Sequence, residues 1–328
     1  MKWLFKFLIL GAVLWSGYWF VGAKAQEELF TSMLEESRDS GWTAETRNLG
    51  IQGFPNRFDT TLTNVNFRDP TGRWGWQGES FQIMALSYQP NHVIVSWPGE
   101  QIIDTPEGSL TVNAELLRAS VVVSPDTDLP LARAQIEGTG VELESSRGWT
   151  GRIEALNGAL HQNETLSTRY RLGINATNVT APPELTSLIG GARGLPPLVD
   201  TLHVSAQIDF DREIDRHAFA QGSPPKPISA VIEPSQLTWG DSELLVSGEL
   251  SANAAGYVDG FLRFEAKNWQ PLYEVFRQAS NLTTTEKISL KRALDGASSG
   301  GSLNFTLTFA DGDTRIGPFR IGPAPAYP

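Results

Sequence analysis

The chain contains no cysteine, which removes disulfide scaffolds, thiol nucleophiles and thiolate metal sites together. Histidine is nearly as scarce. The four present, His92, His161, His203 and His217, lie far apart and in no H-E-x-x-H or comparable ligand spacing. No G-x-S-x-G stands between a strand and a helix as an elbow would, no phosphate-binding loop or strand-borne G-x-G-x-x-G occurs, and the glycine-rich Gly190–Gly194 runs into prolines rather than a helix. Asp311-Gly312-Asp313 lacks the further acidic ligands of a calcium loop and reads as a hairpin turn. With no nucleophile–base set to name, the expectation is a protein that is not an enzyme and that uses no cofactor and no metal. Positive charge is also in deficit: 26 Lys and Arg against 37 Asp and Glu leave a net charge of −11. Nucleic acid demands a basic face, and docking on anionic lipid by charge alone demands the same, so neither is expected.

Only one long apolar run exists, and it is at the start: MKWLFKFLILGAVLWSGYWFVGAKA. Between Lys6 and Lys24 the residues Phe7–Ala23 carry no charge, close to the lower limit for a helix that crosses a bilayer. Lys2 and Lys6 precede it, which keeps residues 1–6 as a cytoplasmic tip and sends the rest across. Trp3 at one end and Tyr18 and Trp19 towards the other suit the two interfaces. The rival reading is a cleaved signal peptide, because Ala23-Lys24-Ala25 has the small-x-small form of a cleavage site. Against cleavage, the run is longer than a signal-peptide core and keeps Trp15, Tyr18, Trp19 and Phe20 where such a core thins to small residues. The expected address is therefore a membrane crossed once, with the bulk of the chain outside the cytoplasm. Residues 26–40 follow as an amphipathic helix that continues the anchor. Leu29, Phe30, Met33 and Leu34 form its stripe, expected to pack on the next domain, and Gly41 stops it.

From Trp42 on, the texture is β. Alternation runs through Arg57–Phe67, with Phe58, Thr60, Leu62 and Asn64 on one face, and returns in Phe81–Tyr88, His92–Trp97, Leu110–Leu117, Ala119–Val123, Ala132–Leu143 and Tyr170–Ala176. Later examples are His203–Phe210, Glu243–Leu250, Gly256–Ala266 and Gly301–Phe309. Turn pairs such as Asp69-Pro70, Gln89-Pro90 and Asp311-Gly312 separate them. This pattern predicts a mainly β fold: an elongated, curved antiparallel sheet, open as a groove or folded like a taco, with few helices. A short helix is expected at Pro183–Ile189 and a helical hairpin over 270–295, built from Gln270–Ala279 and Thr285–Leu294. Thr284 and Thr285 are its capping candidates and Gly296 its stop. Proline-rich loops divide the β region into halves, 42–190 and 191–328.

Three stretches carry a family resemblance. Gly53-Phe54-Pro55-Asn56-Arg57-Phe58-Asp59, followed by Thr60-Thr61-Leu62-Thr63, resembles a G-[FY]-P-x-R-F-D-x-x-L-T signature. Ala85-Leu86-Ser87-Tyr88-Gln89-Pro90-Asn91-His92 resembles an A-L-x-Y-x-P-x-H stretch, and Gly317–Pro325 a closing G-P-x-x-x-G-P-A-P. Together they look like the bacterial domain of unknown function 2125 family, with Asn56 standing where an aromatic is commoner. That family is distantly similar to AsmA-like envelope proteins, which implies a membrane-anchored β protein concerned with envelope lipid.

A physical reading supports that direction. A twisted sheet that does not close presents a concave apolar face able to hold acyl chains. Candidate groove residues are Leu62, Leu262, Leu303, Phe305, Leu307 and Phe309, with Asn304, Thr306 and Thr308 facing outward. Within the signature, Gly53 and Pro55 shape the chain path, while Arg57 and Asp59 share a strand face and are expected to pair with each other or with Arg68 and Asp69. The partners expected are the inner membrane and a phospholipid. The alternative is an envelope scaffold or assembly factor that binds a protein by strand addition.

Overall fold

One continuous helix, α1 (Lys2–Asp39), opens the chain. No proline occurs before Pro55, so nothing interrupts the ladder between the apolar run and the amphipathic segment. It ends in a Schellman arrangement, with Gly41 at φ 86°, Gly41 N–H donating to Arg38 O and Trp42 N–H to Ser37 O. The computed structural model describes residues 2–180, 195–218, 224–253, 255–279 and 283–326. The short helix expected at 183–189 and the division expected at 190/191 lie outside the described residues. Two compact units are present: Met1–Pro125 with Ile136–Thr150, and Asp126–Gln135 with Gly151–Pro328. Every described strand pairing is antiparallel, and the fold is mainly β.

In the first unit, α1 is joined by β1 (Thr43–Glu45), β2 (Asn48–Gln52), β3 (Arg57–Arg68), β4 (Gly75–Leu86), β5 (Gln89–Ser96), β6 (Gln101–Thr105), β7 (Gly108–Asn113), β8 (Leu116–Val123) and most of β9 (Leu131–Ser145). β3 is the hub, pairing with β1, β2 and β4. Phe58, Thr60 and Leu62 face inward as expected, but Asn64 does not. Its φ is 48°, and the register passes from Thr63↔Ser80 to Val65↔Gly78. This left-handed residue interrupts the pairing without shifting the register and reverses the alternation, so that Val65 is buried and Asn64 exposed. Leu110–Leu117, expected as one strand, is two: β7 pairs with β6 and β9, β8 with β5.

The second unit is a meander in sequence order: β10 (Thr150–Gln162), β11 (Arg169–Thr180), β12 (Leu198–Phe210), β13 (Pro227–Trp239), β14 (Ser242–Ala252), β15 (Val258–Lys267), then β17 (Ser302–Ala310), β18 (Asp313–Ile316) and β19 (Phe319–Pro323). Between β15 and β17 come α2 (Gln270–Ala279), α3 (Thr284–Ala297) and the short β16 (Ser298–Ser299). β13 was not expected because Pro234 interrupts it. The ladder slips there, between Ile232 and Ser235, and Ser205 N–H donates to Ser235 Oγ at 3.0 Å in place of a lost ladder bond. α2 has the bounds read from sequence. α3 starts earlier than expected: Thr283, not Thr284 or Thr285, is the N-cap, in a capping box with Glu286. It also runs through Gly296 rather than stopping before it. Asp311 and Gly312 are both at positive φ, as a primed hairpin turn requires.

Candidate functional site

The end of the second meander builds a cavity. β17 alternates at its ends, with Leu303 and Phe309 buried and Asn304 and Thr308 exposed, while Phe305, Leu307 and, against expectation, Thr306 between them are half-buried. Its neighbours supply the same face: Leu244 of β14, Phe264 and Ala266 of β15, Ile316 of β18 and Ile321 of β19. Phe264 stacks on Phe305, its cross-strand partner, with centroids 4.8 Å apart. Over this face lie Trp269, then Leu272, Tyr273 and Phe276 of α2, and Leu290 and Leu294 of α3. Trp269, Tyr273, Leu290, Leu294 and Leu303 form one buried cluster with Ala266, Ile316 and Ile321. Sheet and helices do not close completely. They leave a cavity of about 200 Å³ with an almost wholly apolar wall.

The few polar atoms here are specific. Tyr273 Oη donates to Lys287 O at 3.1 Å, tying α2 to α3, and burial raises the Tyr273 phenol above its ordinary value. Lys291 Nζ lies 5.3 Å from the Trp269 ring centroid and also bonds Asp295. The Trp269 side chain is 2% exposed, and its indole N–H has no partner among the described residues. A buried donor left unsatisfied costs about 1–3 kcal/mol. This indole N–H is thus a buried donor without a partner beside an apolar cavity.

Of the candidate groove residues, Leu303, Phe305 and Leu307 come together in the cavity wall. Leu262 sits opposite Leu307 in the ladder without lining the cavity, and Phe309 is buried opposite Gly260. Leu62 belongs to the other unit, where it is buried between Leu49 and Phe81. The face is also not an open groove at this point, because α2 and α3 cover it. The residues that sequence reasoning missed are the roof, Trp269, Tyr273, Leu290 and Leu294. Their only signal was the apolar spacing of the two helices. The histidines remain dispersed: His92 Nε2 is 2.9 Å from Ser120 Oγ, His203 Nδ1 is 2.7 Å from Asn175 Oδ1, and His217 is 3.6 Å from Asp128.

The signature Gly53–Asp59 has a different task, entirely within the first unit. Gly53 is at φ 104°, and a Cβ there would lie 2.8 Å from Arg57 O, so only glycine fits this turn. Phe54–Pro55 is a cis peptide. The turn delivers two backbone carbonyls to α1, and the β4–β5 turn delivers a third. Trp15 Nε1 donates to Pro55 O at 2.9 Å, Trp19 Nε1 to Arg57 O at 2.7 Å, and Tyr18 Oη to Ser87 O at 2.8 Å. Trp19 stacks on Phe58 at 5.8 Å and meets Phe54 edge-on at 5.4 Å. Trp19 is 5% exposed, so it seats the helix on the β unit. Arg57 pairs with Asp59 at 3.1 Å, whereas Arg68 takes Asp104 and Asp69 caps its own turn. The amphipathic stripe packs less than expected: Leu34 is buried, but Leu29 and Met33 are exposed.

A family model described as an uncharacterized protein conserved in bacteria, DUF2125, matches residues 19–325. The chain therefore belongs to the DUF2125 family. No curated protein and no solved structure matches it. The match begins at Trp19, the residue of α1 that is most deeply seated on the signature.

Proposed function

For this member of the DUF2125 family we propose a lipid-handling role: an inner-membrane anchor, β units in the periplasm, and an acyl chain held in the cavity beneath α2 and α3. The observation that carries this reading is the cavity itself, with its almost wholly apolar wall. An apolar space of this kind suits a hydrocarbon chain. Its volume exceeds the roughly 150 Å³ of a dry cavity that takes benzene, and falls short of the ~300–1,000 Å³ of drug-sized pockets. One chain end fits; a whole phospholipid does not. Phe276, which lines the cavity and is half exposed, marks the side from which the rest of the lipid would project. Lys2 and Lys6 ahead of the apolar run support the orientation, and the seating of Trp19 supports retention of the anchor over cleavage.

Native mass spectrometry of the detergent-extracted protein tests the reading. Phospholipid or fatty acid is expected to co-purify with the wild type. Leu307→Trp fills the cavity from the sheet side, and Phe276→Arg charges the exposed rim. Both are expected to lose most of the bound lipid while thermal stability stays near that of the wild type. A protein that never carries lipid, with these variants indistinguishable from it, would leave the cavity as a packing defect and end the lipid reading.

A further inference from the structure

We propose that the signature loop Gly53–Asn56 and the turn at Ser87–Tyr88 are themselves immersed in the bilayer, at the acyl–headgroup boundary of the leaflet that faces the β units. The proposal rests on α1 crossing the membrane, as put forward above, and adds where along α1 the membrane must end. From Lys2 to Trp15 the helix is roughly 20 Å long at 1.5 Å per residue, well short of the ~30 Å hydrocarbon core. The bilayer must therefore reach beyond Trp15. Yet Trp15, Tyr18 and Trp19 are already held by Pro55, Ser87 and Arg57. The apolar run continues for about 12 Å past Trp15, to Ala23. The β unit thus grips the helix along a stretch that the membrane also needs, and the gripping loops must share that depth.

Loop backbone at membrane depth needs its polar groups satisfied by protein, and six backbone groups of these two loops have protein partners. Gly53 O accepts from Asn56 N–H and Arg57 N–H, and Asn56 O accepts from Ser87 N–H. The carbonyls of Pro55, Arg57 and Ser87 accept from the three aromatic donors of α1, and Pro55 has no N–H to satisfy. Two of the three family stretches, one on each side of the β3–β4 hairpin, thereby complete each other's hydrogen bonds at the helix. The large side chains that remain exposed are aromatic, Phe54 at 51% and Tyr88 at 64%, beside the smaller polar Asn56. Phe54 stacks on Phe20 of α1 at 5.7 Å, itself exposed like Leu14 and Val21, so the loop extends the lipid-facing surface of the helix. Arg57, at the loop's exit, and Lys24, above it on the helix, supply the charges expected at headgroup level. The occupant is therefore lipid, not a second protein.

Because the chain has no cysteine, single cysteines place a fluorophore without a background. The full chain with Phe54→Cys, Tyr88→Cys, Leu14→Cys or Ile136→Cys, each labelled, is reconstituted in phosphatidylcholine vesicles. Quenching by nitroxide-bearing phosphatidylcholine is then compared with quenching by aqueous iodide. Labels at Phe54 and Tyr88 are expected to lose most of their fluorescence to the lipid quencher and little to iodide, like Leu14, with Ile136 behaving oppositely. Should Phe54→Cys disturb packing, Tyr88→Cys carries the result, since its side chain is largely exposed. Labels at 54 and 88 that follow iodide while Leu14 follows lipid would overturn the immersion and leave the anchor standing. Shielding from both quenchers would also overturn it, in favour of a protein partner. If Leu14 itself follows iodide, the anchor reading falls and the proposal with it.

Discussion

Asp209 and Arg169 are ladder partners on β12 and β11, and their side chains meet in a two-pronged contact, Nε to Oδ1 at 2.5 Å and an η nitrogen to Oδ2 at 2.9 Å. Ser229 Oγ adds a third bond at 2.9 Å. The Arg169 hydrogen bonds, above all, hold the Asp209 carboxyl below its ordinary value. Glu233 is lowered in the same way by the Ser205 hydroxyl and the Gln207 amide. A carboxylate lowered in the folded state contributes stability that is complete above the unfolded value, about 3.9 for Asp, and fades as pH falls through the folded one. Asp209→Asn is therefore expected to lower the melting temperature at neutral pH. It should also flatten the loss of stability below about pH 4. A variant with the wild-type acid profile would show that the pair contributes nothing. Of such pairs, only Arg57 with Asp59 was legible beforehand, since two residues apart on one strand share a face. Partners from different strands are set by register, which alternation alone does not give.

At the scale of elements, α2 was legible to the residue because its apolar positions recur with helical spacing between Trp269 and the end of the run. The start of α3 slipped, since three consecutive threonines, Thr283 to Thr285, can all cap. The choice fell on Thr283 because Glu286, three residues on, completes the box: Glu286 N–H donates to Thr283 Oγ1 and Thr283 N–H to Glu286 Oε2. Thr283→Ala should cost about 0.5–2 kcal/mol in chemical denaturation, whereas alanine at Thr284 or Thr285 should change little. Equal losses at all three positions would refute this cap. β3 shows the opposite case. Its hydrophobic alternation is clear up to Leu62, but the reversal at Asn64 depends on an αL residue and on how β4 continues past it, neither visible in the pattern.

For the molecule as a whole, the question of cleavage becomes one of stability. A protein beginning at Gln26 would lose Trp15, Tyr18 and Trp19, and with them the ring packed against Phe54 and Phe58. Deleting a buried aromatic of this size costs about 3–5 kcal/mol. The chain from residue 26 to 328 is thus expected to melt well below the full-length protein in the same detergent, with the greatest loss of hydrogen-exchange protection in β2 and β3. Equal stability would mean that the seated helix is dispensable, as a cleaved signal peptide would be.

The sequence by itself determined the absence of thiol chemistry, the single apolar helix, the mainly β antiparallel character, the family and the alternating face of β17. These properties depend on composition or on short-range periodicity, which the chain carries locally. Tertiary structure alone decided that the signature residues seat α1, that Trp19 is buried, and that α2 and α3 roof Leu303, Phe305 and Leu307 around a cavity. Each of those outcomes joins segments distant in sequence, Trp19 to Arg57 and Trp269 to Ile321, and which apolar faces meet is settled by strand register and packing that no local pattern encodes.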